Sequence, residues 1–301
     1  MKNNIKFIYI PLIAAVAALM LNSCTKEKYA DLGAKPSIDF AMVPGANPNN
    51  ITLVNKSSSK IIPYWKLSNS TTRLTGDSAI ANFVFAGNYT VTMYGVGHGG
   101  MDSVTKPVVI AQTDPTACVN TQRGFLAGCV SRTWKLNPEA GAYKVGNEGP
   151  GAGNWWSSPA TEPAARSCEF NDEYTFVFNE AGTFNYDNKG DFYGDGYLGN
   201  NTGTCQPTSN YTANQAPWGS GSFTYSFTPN AGVNNLGQLT VVGLGAHIGL
   251  QKVRNGGEVQ SPASTITYDI LSMTHLTGYD LMQVGVNLGY GWWSFTLRSP
   301  N

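Results

Sequence analysis

Apolar and polar positions alternate in short runs from Pro36 to about Thr113. The runs are Ile51-Thr52-Leu53-Val54, Ile61-Ile62-Pro63-Tyr64-Trp65 and Tyr89-Thr90-Val91-Thr92-Met93-Tyr94. A period of two with β-branched and aromatic residues predicts strands, and the Asn and Gly clusters between them predict turns. Residues 36–113 therefore predict one small sandwich. Asp114 and Pro115, within QTDPTACVN, break the pattern and read as a linker. The alternation returns over 117–301. Tyr174–Phe178, Thr183–Tyr186, Ser222–Phe227, Gln238–Leu244, Thr265–Leu271, Tyr279–Val284 and Trp292–Leu297 all predict strands. No segment keeps a helical period beyond two turns. The expected fold class is all-β, a small sandwich followed by a larger, jelly-roll-like β-sandwich able to bury a sizeable core.

The first residues follow another pattern. Lys2 and Lys6 precede an apolar run, residues 7–21, that is too short and too early to anchor a large ectodomain. The run ends in Leu21-Asn22-Ser23-Cys24, which resembles the lipobox of bacterial lipoproteins. The resemblance implies a signal peptide at 1–23, cleavage before Cys24, acylation of Cys24 and a polar tether over 24–35. Several acyl chains on one cysteine anchor stably where one would not. Thr25 in place of Asp after the cysteine implies the outer membrane, with display at the cell surface expected.

Removing Lys2 and Lys6 leaves 17 basic against 19 acidic residues. Without a basic field, nucleic acid is excluded as a partner class. Charged residues are 13% of the chain, as suits an extracellular β-protein. Four cysteines remain besides Cys24, an even number that reads as two disulfides in an exported protein. Three pairings are open; the local one, Cys118–Cys129 with Cys168–Cys205, is the expectation. There is no CxxC and the three histidines are scattered, which speaks against zinc.

Two acidic stretches carry candidate chemistry. Glu169-Phe170-Asn171-Asp172-Glu173 comes nearest to the carboxylate pair a glycoside hydrolase needs. Asn171 stands at its centre and the stretch precedes a strand, so it reads as a polar turn, and no catalytic residue is assigned. YDNKGDFYGDGYLGN, residues 186–200, spaces Asp187, Asp191 and Asp195 among glycines. Three readings stay open for it: a structural Ca²⁺ held by those aspartates, a long Gly/Asp turn, or a loop that faces Asp191 and Tyr193 to a ligand.

Four of the seven tryptophans sit in two pairs, each just after a Gly-x-Gly run. In LGYGWWSFTLR, strand alternation assigns Trp293 to the core with Phe295 and Leu297. Trp292 falls on the mixed face, either under a loop or exposed. GPGAGNWWSSP has no alternation and reads as a loop. A buried loop leaves backbone groups unsatisfied, so at least one of Trp155 and Trp156 is expected near the surface. Trp218, in NQAPWGSGS, has a similar setting. Exposed rings suit the C–H face of a pyranose, with neighbouring polar groups for its hydroxyls.

Family resemblance adds to these readings. PYWKLSN followed by FVFAGNYTVTMYGVGHGG resembles a PKD-type immunoglobulin-like domain, matched at Trp65, Phe85, Gly87, Tyr89 and Val91 but lacking the acidic-glycine turn after the tryptophan. It implies an immunoglobulin-fold spacer. RTWKLNPEAGAYKVGNEGPGAGNWW and DEYTFVFNEAGTFNYDNKGD, behind a lipobox and such a spacer, resemble a surface glycan-binding lipoprotein of a Bacteroidota polysaccharide-utilisation locus. The resemblance implies non-catalytic capture of a polysaccharide, a β-glucan such as laminarin, beside a TonB-dependent transporter and its partner lipoprotein. Trp155, Trp156, Trp292 and Tyr193 would stack on sugar, with Asp191 and Asn154 on hydroxyls. A laminarinase-like hydrolase using Glu169 and Glu173, and an adhesin-like lipoprotein with buried Trp pairs, are the alternatives.

Overall fold

The computed structural model describes residues 33–199 and 202–300. The leader 1–23, Cys24 and most of the tether lie outside the described residues. The chain divides into two compact units between Gln112 and Thr113, where the expected linker begins.

The first unit is a two-sheet antiparallel fold. Strands β1 (Phe40–Pro44), β2 (Asn50–Asn55) and β5 (Ser78–Asn82) form one sheet, in the order β1-β2-β5. Strands β3 (Ile62–Leu67), β4 (Arg73–Thr75), β6 (Gly87–Gly97) and β7 (Gly100–Ile110) form the other, in the order β4-β3-β6-β7. Alternation puts Leu53, Trp65, Ala81, Val91 and Met93 inside, all fully buried. Trp65 donates its indole N–H to Gly76 O at 3.0 Å, so the buried ring keeps a partner. Tyr89 donates its hydroxyl to Phe85 O at 3.0 Å and packs on Phe83. Phe83, not Phe85, is the fully buried phenylalanine of that segment.

The second unit is a closed barrel. Its eight wall strands are β8 (Ser131–Leu136), β11 (Glu173–Val177), β12 (Thr183–Asp187), β15 (Gly221–Thr228), β16 (Gln238–Val242), β19 (Thr265–Leu276), β20 (Tyr279–Asn287) and β21 (Trp292–Pro300). Each pairs antiparallel with the next in that order, and β21 closes on β8 through Leu297↔Leu136 and Arg298↔Lys135. The all-β expectation holds. The larger unit, however, runs up and down in sequence order around one closed sheet, where a jelly roll would cross between two sheets. Closure leaves these wall strands without an open edge.

Eight strands enclose a space that side chains can just fill. Trp134, Tyr174, Phe176, Phe184, Tyr268 and Phe295 fill it here, none more than 0% exposed. The segment Ala246–Leu250 plugs one end. Ile248 N donates to Tyr268 Oη at 2.8 Å, and Gly249 N donates to Tyr174 Oη at 3.1 Å. Gly249 has φ +78°, and a Cβ there would fall 2.4 Å from the Phe295 ring. Only glycine fits that close approach.

The two ends differ in their connections. At one end, residues 178–182, 229–237 and 277–278 suffice to join neighbouring strands. Helix α1 (Gln122–Ala127) packs there, and Trp134 donates its indole N–H to Leu126 O at 2.7 Å. At the plugged end, residues 137–172, 188–220 and 243–264 make long connections, and 288–291 a short one. The second carries the paired strands β13 (Asp191–Tyr193) and β14 (Cys205–Pro207), and the third β17 (Val253–Arg254) and β18 (Gly257–Glu258). Long loops on a rigid wall are where binding chemistry is usually placed.

Candidate functional site

The plugged, long-loop end brings the two Trp-Trp stretches, each behind a Gly-x-Gly run, together. Strand β9 (Tyr143–Gly146) continues the line of β8 along β21, after an excursion over 137–142 that rejoins at Thr296. β9 then pairs with β10 (Trp156–Ser157). The segment expected as loop therefore ends in a short edge strand, because Trp155 N and Ser158 N donate to Val145 O and Tyr143 O. This hairpin raises its rings at the end of the barrel.

Trp155 is 48% exposed, Trp156 39% and Tyr290 59%. Trp155 and Tyr290 lie nearly parallel, 18° apart with centroids at 6.3 Å. Trp155 is seated on Gly291, where a Cβ would meet its Cη2 at 2.9 Å. The glycine of one stretch thus makes room for the tryptophan of the other. Trp156 meets Trp293 edge to face at 6.3 Å. Trp293 is buried, as expected, and donates its indole N–H to Glu258 at 2.6 Å.

Trp292 does not join this face. Strand alternation turns it to the outer wall, where a Cβ on Gly285 would meet Trp292 Cε3 at 3.3 Å and Leu271 Cδ1 at 3.0 Å. Gly151, in the 147–154 loop, approaches the same Leu271 and donates its N–H to Ser294 Oγ at 2.9 Å. Trp292 is half-buried there. Asn154 is exposed, and its side chain bonds within its own loop. Its side-chain oxygen accepts from Asn147 N at 3.0 Å and Glu148 N at 3.3 Å, and its amide donates to Asn147 Oδ1 at 2.9 Å. Trp218 is buried, against the setting its loop suggests. A 3-10 turn, Ala216–Trp218, satisfies its backbone locally, with Trp218 N donating to Gln215 O at 2.8 Å.

A charged network lies next to the rings. Arg166 reaches Glu162 at 2.8 Å, Glu169 at 3.1 Å and Asp195 at 3.4 Å. Lys252 reaches Asp195 at 3.5 Å and Glu258 at 3.6 Å, the acid that holds Trp293. Tyr143 donates its hydroxyl to Glu169 at 3.0 Å. Burial raises the Glu169 carboxyl above its usual range, with Arg166 and Tyr143 opposing. Tyr193 belongs to the same network. The Arg166 guanidinium lies 4.0 Å from its ring centroid, and its hydroxyl donates to Gly203 O at 2.9 Å. The disulfide Cys168–Cys205 ties the helix of Glu169 to the hairpin of Tyr193, and Cys118–Cys129 closes the loop beside α1. The local pairing expected of the cysteines is the one formed.

The three aspartates considered for calcium go separate ways. Asp187 pairs with Lys189 at 2.7 Å, and Asp195 with Arg166 and Lys252. Asp191 is half-buried, and desolvation raises its carboxyl. Among the described residues no group of three His, Cys, Asp or Glu side chains could hold a metal ion. Glu173, at the foot of β11, is bound by Lys135 at 2.9 Å and Lys189 at 2.7 Å, and both lysines lower its carboxyl. Sequence reasoning missed Tyr290, Arg166, Lys252 and Glu258. Only Arg166 left a signal, in its spacing four after Glu162 and three before Glu169.

No family model matches the chain, and no curated protein does. Among solved structures, the PKD1 domain of Vibrio anguillarum Epp is similar at 15% identity, over 26% of this chain and 96% of that one, with a TM-score of 0.24. The PKD1 domain from Vibrio cholerae metalloprotease PrtV is similar at 17% identity, over 26% of this chain and 100% of that one, again with a TM-score of 0.24. The similarity to PKD domains is weak and spans a quarter of the chain.

Proposed function

We propose that this protein is a non-catalytic glycan-binding lipoprotein, anchored in the outer membrane through Cys24 and displayed at the cell surface. It captures a polysaccharide for a TonB-dependent transporter and its partner lipoprotein. A β-glucan such as laminarin is the ligand class put forward. The observation that carries the reading is the exposed, nearly parallel Trp155–Tyr290 pair with Trp156 beside it, on the long-loop end of a barrel whose interior is filled. Flat apolar rings held rigidly at a polar rim match the C–H face of a sugar and lose little side-chain entropy on binding. The non-catalytic part is supported by Glu169 and Glu173. The first is buried against Arg166 and Tyr143, and the second is held by two lysines.

Affinity electrophoresis through gels containing laminarin and a panel of other polysaccharides tests the reading. Retardation on at least one glycan is expected. Trp155→Ala and Trp156→Ala each weaken it about tenfold or more, as for a buried aromatic anchor, and Trp292→Ala weakens it less. Equal retardation of all variants, or none of the wild type on any glycan, would end the proposal.

A further inference from the structure

A row of charged residues crosses the outer wall of the barrel. Strand registers set Asp187 opposite Glu173, and Lys135 opposite Arg298. Like charges directly opposite are unfavourable, so each pair needs a counter-charge. The acidic pair has one: Lys189 reaches both Asp187 and Glu173 at 2.7 Å. The other Glu173 oxygen takes Lys135 at 2.9 Å. Two acids thus hold two lysines, and Arg298 is the surplus cation of the row.

Arg298 is held in a fixed plane. Its guanidinium lies over the Tyr279 ring, 3.6 Å from the centroid. Among the described residues, no acceptor engages its side-chain N–H groups. Arg298 and Tyr279 border a cavity of about 500 Å³ whose other walls include Leu136, Pro138, Phe170 and Pro300. The Lys135–Glu173 ion pair and Thr133 line it too. With Glu173 taken up by two lysines, the cavity combines apolar walls with one oriented guanidinium that no acceptor among the described residues engages. A guanidinium fork fits a carboxylate with two parallel hydrogen bonds, and fits a neutral hydroxyl far less well.

We propose that this cavity is a second ligand site, selective for a carboxylate carried on a sugar ring, that is, a uronic acid. The apolar walls take the C–H face of the ring and Arg298 takes the carboxylate. The site is independent of Trp155 and Trp156, so its fate does not depend on theirs.

The full chain is titrated with glucuronate, its methyl ester, glucose, acetate and a galacturonate trimer, followed by NMR. Saturable binding is expected for glucuronate and the trimer, weakening as salt rises. Arg298→Gln is expected to reduce their affinity about tenfold or more, with unchanged thermal unfolding. Arg298→Lys keeps the charge but not the fork and falls between. The Trp155→Ala/Trp156→Ala double variant binds both probes like the wild type. A trimer much tighter than the monomer marks a glycan-borne uronate as the ligand; equal affinities mark the free sugar acid. The proposal is overturned if the ester or acetate binds as well as glucuronate, if Arg298→Gln has no effect, or if neither acidic probe binds.

Discussion

The two ends of the barrel share the same eight strands and differ in almost everything else. At the short-turn end, Arg132 reaches the buried Asp280 at 2.6 Å, Asp280 also bonds His275 at 2.7 Å, and α1 closes over Trp134. Polar groups there are paired and the rings are covered. At the long-loop end, Trp155, Trp156 and Tyr290 stand exposed above the 246–250 plug, beside a chain of alternating acids and cations. A closed wall stabilises both ends alike. What separates them is loop length, which gives one end enough chain to build a face that its own core does not require.

The disulfides offer the largest test of that contrast. Replacing Cys168 and Cys205 by Ser frees a 37-residue separation and is expected to cost about 4 kcal/mol, against about 3 kcal/mol for Cys118 and Cys129 with a separation of 11. Chemical denaturation measures both. The sharper expectation is in binding: the first pair also weakens glycan retention, since it fixes the hairpin of Tyr193 against Arg166, and the second leaves retention intact. Equal losses of retention would erase the distinction between the ends.

The plug gives the next effect. His247 is fully buried against Tyr186 with Nδ1 bonded to Gly245 O, and burial lowers its pKa to about 4 from an ordinary 6.5. Between those values the unfolded chain takes up a proton that the folded chain refuses. Stability therefore falls as pH drops through this window, by about 3 kcal/mol in all. Glu169 and Asp172 act oppositely. Burial raises both carboxyls, so their contribution is present at low pH and lost as pH rises above their unfolded values. His247→Gln should accordingly flatten or reverse the acid limb of Tm between pH 6.5 and 4. An unchanged limb would remove His247 as its source.

The smallest stability effect is expected where the binding effect is greatest. The Trp155→Ala/Trp156→Ala double variant loses half-exposed rings and should cost no more than about 1–2 kcal/mol, yet abolish retention. A much larger loss of stability would mean that the rings are part of the fold and not a face built on it.

Much of this was legible in the chain. The wall strands β11, β12, β15, β16, β19, β20 and β21 announce themselves by alternation, and Trp293 is core for the same reason. β8 and β9 carry no such signal, because Pro138 and the 137–142 excursion interrupt what is one line along β21. That at least one of Trp155 and Trp156 is exposed follows from their glycine-rich setting, and both are, whereas Trp218 in a similar setting is buried, because a 3-10 turn satisfies its backbone. The hydrogen bonds by which the exposed Asn154 closes its own loop have no signal in the sequence.

Local periodicity determined by itself that this chain is all-β, where most strands lie, and which of Trp292 and Trp293 faces inward, since side-chain alternation is a property of a strand alone. Cysteine spacing likewise favoured the local disulfides that form. Only the tertiary structure decided that the larger unit closes into an up-and-down barrel, that its interior is filled and plugged, and that Gly291 seats Trp155 beside Tyr290. Closure and the seat of Trp155 depend on contacts between residues more than a hundred positions apart, and the plug on contacts between separate strands and loops; nothing in a period of two specifies which distant segments meet.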